Sequence, residues 1–273
     1  MKNTYLLLTL LLFMGFTLTA QTEIEITTTI ETETETETDT IIERKHVSMD
    51  IPNYDIDGRS FTIRLGRMDF GISTYVDSEG SIDLPSELDF LDQVLWRSIN
   101  VGITAVDAHI SFGPDDAKAR FGFSTGLKFN WVHYSMSQDY SLERNQPDVF
   151  SAISFEVPEL RKNRLRGTYL QVPLLLEFTT NARKRRKSLH LGIGYVHQLL
   201  LGSQYKYKTT EGDKTKTRGE FNLRKSMGLI EGRIGIGHLN FYVQYGLNTL
   251  FQDGALGDFT VTPVNFGINI IPR

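Results

Sequence analysis

The chain has 273 residues, no cysteine and a formal net charge of −4. The lack of cysteine excludes disulfide stapling, thiolate metal sites and a lipid anchor on cysteine, and the length suits one large β domain or two small ones. The acidity is local: eight of the 33 acids fall between Gln21 and Glu43, and the other 25 face 28 basic residues once Lys2 is set aside, so the remainder is near +3.

Lys2, the apolar run Tyr5–Phe16 and the small residues up to Ala20 have the order of a secretory signal peptide, expected over residues 1–20 with cleavage before Gln21. The run is shorter than the roughly 20 residues of a spanning helix, which disfavours a retained anchor. Residues 21–64 are expected to form an acidic periplasmic linker and a transition. Within them Thr22–Thr40 is low-complexity, and Glu31–Asp39 is a strict ETETETETD repeat. Like charges two residues apart on one strand face repel, and little is available to bury, so this tail is expected to be disordered. A solvated spacer and a partner-binding tail are the two readings of it.

Residues 65–273 carry the strand signals. Eight long strands are expected, near Leu65–Val76, Ser98–Phe112, Ala117–Met136, Thr168–Phe178, Ser188–Gly202, Lys225–Gly237, Leu239–Phe251 and Phe259–Ile270. Only Leu88–Trp96 offers a turn or two of helix. Long connections (77–97, 138–167, 203–224) alternate with short ones, the pattern of an outer-membrane barrel with its termini on the periplasmic side.

Arg120–Tyr134 shows the two faces of such a strand. Phe121, Phe123, Leu127, Phe129 and Trp131 alternate with Arg120, Gly122, Ser124, Gly126, Lys128 and Asn130. Leu189–Leu201, Leu239–Leu247 and Val264–Ile270 alternate likewise, with glycine recurring on the polar face. In a soluble lipocalin-like barrel those glycines would dot the solvated exterior, where they cost entropy and pack nothing. With the bulky faces toward lipid, the glycines line a narrow lumen where small residues fit. The expected fold is therefore all-β, an eight-stranded antiparallel up-and-down transmembrane barrel in the outer membrane. Trp96 and Trp131, beside long loops, are expected in the outer aromatic girdle.

The lumen set includes Arg120, Lys128, Glu177, Glu231 and Arg233. Charges in a narrow interior must pair, so Arg120 and Glu177 are expected as neighbours, with Glu231, Arg233 and Lys128 in one network. A structural plug and a gated or proton-coupled pathway are the two readings. The densest basic cluster is Arg183, Lys184, Arg185, Arg186 and Lys187, on an expected periplasmic turn. It reads as a solvated turn, or as a binder of anionic lipid or of the Thr/Glu tail on the same side. Nucleic acid is not an expected partner outside the cytoplasm. No HExxH, GxSxG or phosphate-loop pattern occurs, so no catalytic residue, cofactor or metal is expected.

Several segments carry a family resemblance. They are MDFGIS (Met68–Ser73), WRSINVGI (Trp96–Ile103), FSTGLKFNW (Phe123–Trp131), YLQVPLLLEF (Tyr169–Phe178), LGIGY (Leu191–Tyr195), YVQYGLNTLF (Tyr242–Phe251) and VNFGINI (Val264–Ile270). Over Met68–Ile270 the chain resembles the Bacteroidetes-type outer membrane β-barrel proteins of the PorT-like group, with YLQVPLLLEF the most specific segment. The resemblance implies an outer-membrane barrel without catalytic residues. It also implies, for some members, a link to type IX secretion. The Thr/Glu tail and the end at Ile270-Ile271-Pro272-Arg273, which lacks a terminal aromatic, depart from the group's pattern. The functions expected are a structural or interaction role through long extracellular loops, an accessory role in protein secretion or envelope assembly with a periplasmic partner, or a small pore.

Overall fold

The computed structural model describes residues 54–56, 59–113, 118–180, 188–237 and 239–270. The signal peptide, the Thr/Glu tail and the basic turn Arg183–Lys187 lie outside the described residues.

Eight strands form the wall: β1 (Arg59–Val76), β2 (Ile99–Phe112), β3 (Ala119–Met136), β4 (Leu160–Thr180), β5 (Leu189–Thr209), β6 (Ser226–Ile236), β7 (Leu239–Gly246) and β8 (Thr262–Ile270). Each pairs antiparallel with its sequence neighbours, and β8 closes on β1 in the register Ile270↔Met68 to Thr262↔Val76. Closure removes the sheet edges, which a barrel in lipid must do because no water satisfies an open edge there. A short strand, Tyr54–Ile56, folds back on the start of β1, and Lys214–Arg218 folds back on β5.

All eight expected strands are present, with shifted limits. β1 begins at Arg59, so the end of the 21–64 transition belongs to the barrel wall. β4 and β5 run past their expected ends at Thr168 and Gly202, to Leu160 and Thr209. Their extensions alternate cations outward with Asn163, Leu165 and Tyr205 inward, and that charge masks the strand period. β7 stops early, at Gly246, and just beyond it the side-chain oxygen of the exposed Asn248 accepts from the backbone N–H of Gly228 at 2.9 Å.

The exterior carries a belt of exposed apolar side chains. Phe121 is 67% exposed, Leu176 64%, Ile193 62% and Phe241 57%. Leaving such surface in water would cost roughly 25 cal/mol per Å², so a belt encircling the barrel is a lipid-facing surface. On β4 the outward apolar positions run from Phe178 to Leu170, and Thr168, level with Trp131 of β3, lies one step beyond. Phe178 and Thr168 are ten residues apart, about 33 Å along the strand and about 25 Å of height at a tilt near 40°. That matches the apolar band of an outer-membrane barrel.

Candidate functional site

The inward face of the wall is polar and almost fully occupied. One chain of contacts circles most of the barrel. Ser73 of β1 donates to the side-chain oxygen of Asn265 of β8 at 2.6 Å, and Asn265 donates to Gln244 of β7 at 3.1 Å. Gln244 donates to Glu231 of β6 at 2.6 Å, and Arg233 is paired to the other oxygen of Glu231. Arg233 also reaches Glu177 of β4, Nη1 to Oε1 at 3.9 Å. Glu177 in turn accepts from Ser124 of β3 at 2.9 Å and lies 3.1 Å from Nδ1 of His109 of β2.

This chain crosses β5 at a glycine. Gly192 stands between Glu177 and Arg233 in the register, and a Cβ there would meet the Cβ of Arg233 at 3.4 Å and the Cγ of Glu177 at 3.8 Å. Without a side chain on β5, two strands that are not neighbours share an ion pair. A second centre is the pair of Lys128 and Asp69, Nζ to Oδ2 at 2.5 Å, both 2% exposed. Asn269 donates to Asp69, and the ammonium lies 5.5 Å from the centre of the Tyr242 ring. Room for this pair comes from Gly102, where a Cβ would stand 2.8 Å from the Cε of Lys128. A third pair, Arg67 Nη1 to Asp107 Oδ2 at 3.0 Å, is equally buried.

The expected lumen residues are therefore inside. Glu231 and Arg233 pair with each other, whereas Lys128 takes Asp69. Arg120 stands opposite Thr179, one diagonal step from Glu177, and donates to the carbonyl of Gly113 at 2.9 Å. Asp107 and His109 escaped the sequence reading because β2 changes phase. Its register against β3 shifts between Thr104 and Val106, leaving Ala105 as an extra residue. Asn100, Gly102 and Thr104 point inward before the bulge, and Asp107, His109 and Ser111 after it. Two out-of-phase alternations in one strand are the signal that would have revealed them.

Above the polar lumen, at the long-loop end, the interior turns apolar. Tyr75, Tyr134, Leu165, Tyr169, Tyr205 and Leu229 from the strands are buried there. They pack with Leu88, Leu91, Tyr140, Phe221, Phe251 and Leu256 from the loops. Tyr205 donates to the carbonyl of Tyr140 at 2.5 Å, and their rings stack at 6.4 Å. The four long loops are bound to one another and to the wall by backbone hydrogen bonds. Val149 donates to Ala255 at 2.9 Å, Asn145 to Glu220 at 2.8 Å, Gln252 to Asn222 at 2.8 Å and Val94 to Ser135 at 2.8 Å. Arg224 clamps the last loop through Thr249 and Asp253. These loops form a folded crown that seals the outer mouth. Its surface exposes Phe155 (65%) and Ile82 (53%). Trp131 is half-exposed on the outer wall, and Trp96, 69% exposed, sits where the first loop enters β2 with the Arg97 guanidinium 4.4 Å over its ring.

No curated protein matches the chain by sequence. Among solved structures it is similar to Ail, the attachment invasion locus protein of Yersinia pestis. The structure of Ail in complex with the heparin analogue sucrose octasulfate matches at a TM-score of 0.30 and 12% identity, covering 79% of this chain and 99% of that one. A second structure of Ail matches at 0.24 and 9%, with the same coverage. The family model described as the outer membrane protein beta-barrel domain matches residues 98–252. That span holds β2–β7 and the two crown loops that join β3 to β4 and β5 to β6, and the chain is a member of this family of outer-membrane β-barrels.

Proposed function

We propose that this barrel is a non-catalytic interaction protein of the outer membrane whose crown is the contact surface and whose lumen passes no solute. The observation that carries this reading is the double closure of the interior, by ion pairs at mid-height and by an apolar core under the loops. Eight strands leave an interior just wide enough for side chains, and here ion pairs and hydrogen bonds tie many of them together across it. Opening a path would separate buried ion pairs and leave their charges without a partner. Loops ordered by their own core present a fixed surface, which lowers the entropy lost on binding a partner. The purified full-length protein in planar bilayers is expected to give no stepwise conductance. Steady channels from the wild type would make it a pore and overturn this reading.

The resemblance to the PorT-like group supports a second reading, an accessory role in protein secretion or envelope assembly through the acidic tail and the basic turn. Deleting residues 22–40 separates the two. A secretion defect with the crown intact supports the second reading, and normal secretion leaves the first.

A further inference from the structure

Above the lipid belt, β4, β5 and the Lys214–Arg218 strand form a three-stranded wall whose outer face is a grid of cations. Residues directly opposite across antiparallel strands share a face. The lowest row is Arg166, Gln204 and Arg218. The middle row is Arg164, Lys206 and Lys216. The top row is Lys162, Lys208 and Lys214. The inward residues between them, Leu165 and Tyr205, are buried in the crown core, which fixes the cations on the outside.

Eight of nine positions are cationic, and four pairs of like charges stand directly opposite one another, an arrangement that destabilises a sheet. Among the described residues none of the eight has an ion-pair partner, although carboxylates pair with cations elsewhere in the crown, at Arg224–Asp253 and Lys225–Glu220. The Nε atoms of Arg164 and Arg166 are buried without a hydrogen-bond partner. An open depression of about 470 Å³ at the strand's edge is lined by Arg144, Lys216, Thr217 and Arg218.

The height of the grid identifies what it faces. Arg166 is one same-face step above Thr168 and Trp131, where the apolar belt ends. Successive rows are about 7 Å apart along the strand. The lowest row therefore lies at the headgroups of the outer leaflet, and the upper rows lie at the level of sugars attached to them.

We propose that this lateral face binds the phosphate groups of an anionic glycolipid of the outer leaflet, beside the barrel and independently of whatever the crown contacts. The grid is continuous with the lipid-facing belt, so the acyl chains of the same molecule lie against Leu170 and Leu174 while its anionic groups meet the rows above. A planar array of Arg and Lys with unused N–H donors suits phosphate oxygens.

The test uses the full-length protein in micelles, titrated with fluorescent lipopolysaccharide, intact or dephosphorylated, and with dextran sulfate as a soluble polyanion. The middle-row variant R164Q/K206Q/K216Q is compared with wild type and with R97Q/K118Q/K225Q, which removes equal charge elsewhere. Expected are binding of the intact lipid, an affinity loss of about tenfold or more in the middle-row variant and on dephosphorylation, and steep weakening by salt. The middle-row variant is expected to melt no lower than wild type, since opposed like charges are relieved. Equal affinity of wild type and middle-row variant for the intact lipid overturns the proposal. So does a loss confined to dextran sulfate, which would assign the face to a soluble polyanion.

Discussion

Lys128 shows how one buried charge recruits its surroundings. Its ammonium meets Asp69, Asn269 bonds the other carboxylate oxygen, and Gly102 leaves the space that the lysine stem occupies. Removing one member strands the other, whereas removing both leaves a neutral site. Lys128→Met is therefore expected to cost about 3–5 kcal/mol, and the double change Asp69→Asn with Lys128→Met clearly less. Denaturant titration followed by the gel mobility of the folded barrel measures both, and equal losses would contradict a paired role. Lys128 was legible from the alternation of β3, because its neighbours on that face are small or polar. Its partner choice was not, since Asp69 and Glu231 are both inward carboxylates and only the closing of β1 on β8 brings Asp69 and Asn269 together.

The strand is the scale at which the sequence spoke most clearly. Period-2 alternation, with glycine recurring on the polar face, identified wall strands such as β3, β5, β7 and β8 and the side of each that met lipid. Leu174 lies near mid-height on β4 and points outward. Leu174→Arg is expected to destabilise by about 2–4 kcal/mol, falling to about 0–1 for the same residue near an interface. An equal effect at Leu174 and at Thr168, measured by unfolding in lipid, would contradict the assigned band. Where a strand changes phase, the pattern misleads. Deleting Ala105 would leave Thr104 and Asp107 both inward around Val106, a regular alternation opposite Lys128 and Leu127, so the deletion variant is expected to keep the heat-dependent gel shift of a folded barrel, and loss of the shift would contradict the bulge.

At the scale of the whole molecule, connection lengths separate a rim of short turns, expected on the periplasmic side, from an end of long loops, expected outside the cell. Because the chain has no native cysteine, single cysteines report this directly. Phe155→Cys in the crown is expected to react with an impermeant maleimide on intact cells, and Lys118→Cys at the short-turn rim only after lysis. The reverse pattern would invert the topology. The crown's last loop hangs on Arg224, whose guanidinium donates to the Thr249 carbonyl at 3.0 Å and to its hydroxyl at 2.7 Å. Arg224→Ala is expected to expose residues 247–261 to protease while the barrel stays folded. The Arg224 hydrogen bond and charge hold the Asp253 carboxyl below its usual range. The contact is therefore present above about pH 4 and is lost as pH falls through the lowered value, so acid should loosen the same loop.

The sequence by itself determined the class of the fold, the strand count, the inside and outside of the strands that keep one phase, and the membrane in which the barrel sits. These follow from local periodicity, which depends only on neighbours along the chain. Only the tertiary structure decided which lumen charges pair, because partners such as Glu177 and Arg233 meet across a strand that contributes a glycine. It alone revealed that the loops fold into a closed crown, since that core gathers single apolar residues from four loops with no period of their own. And it alone aligned the cations of β4, β5 and the Lys214–Arg218 strand into one face, because register across strands is set by closure and bulges rather than by any one segment.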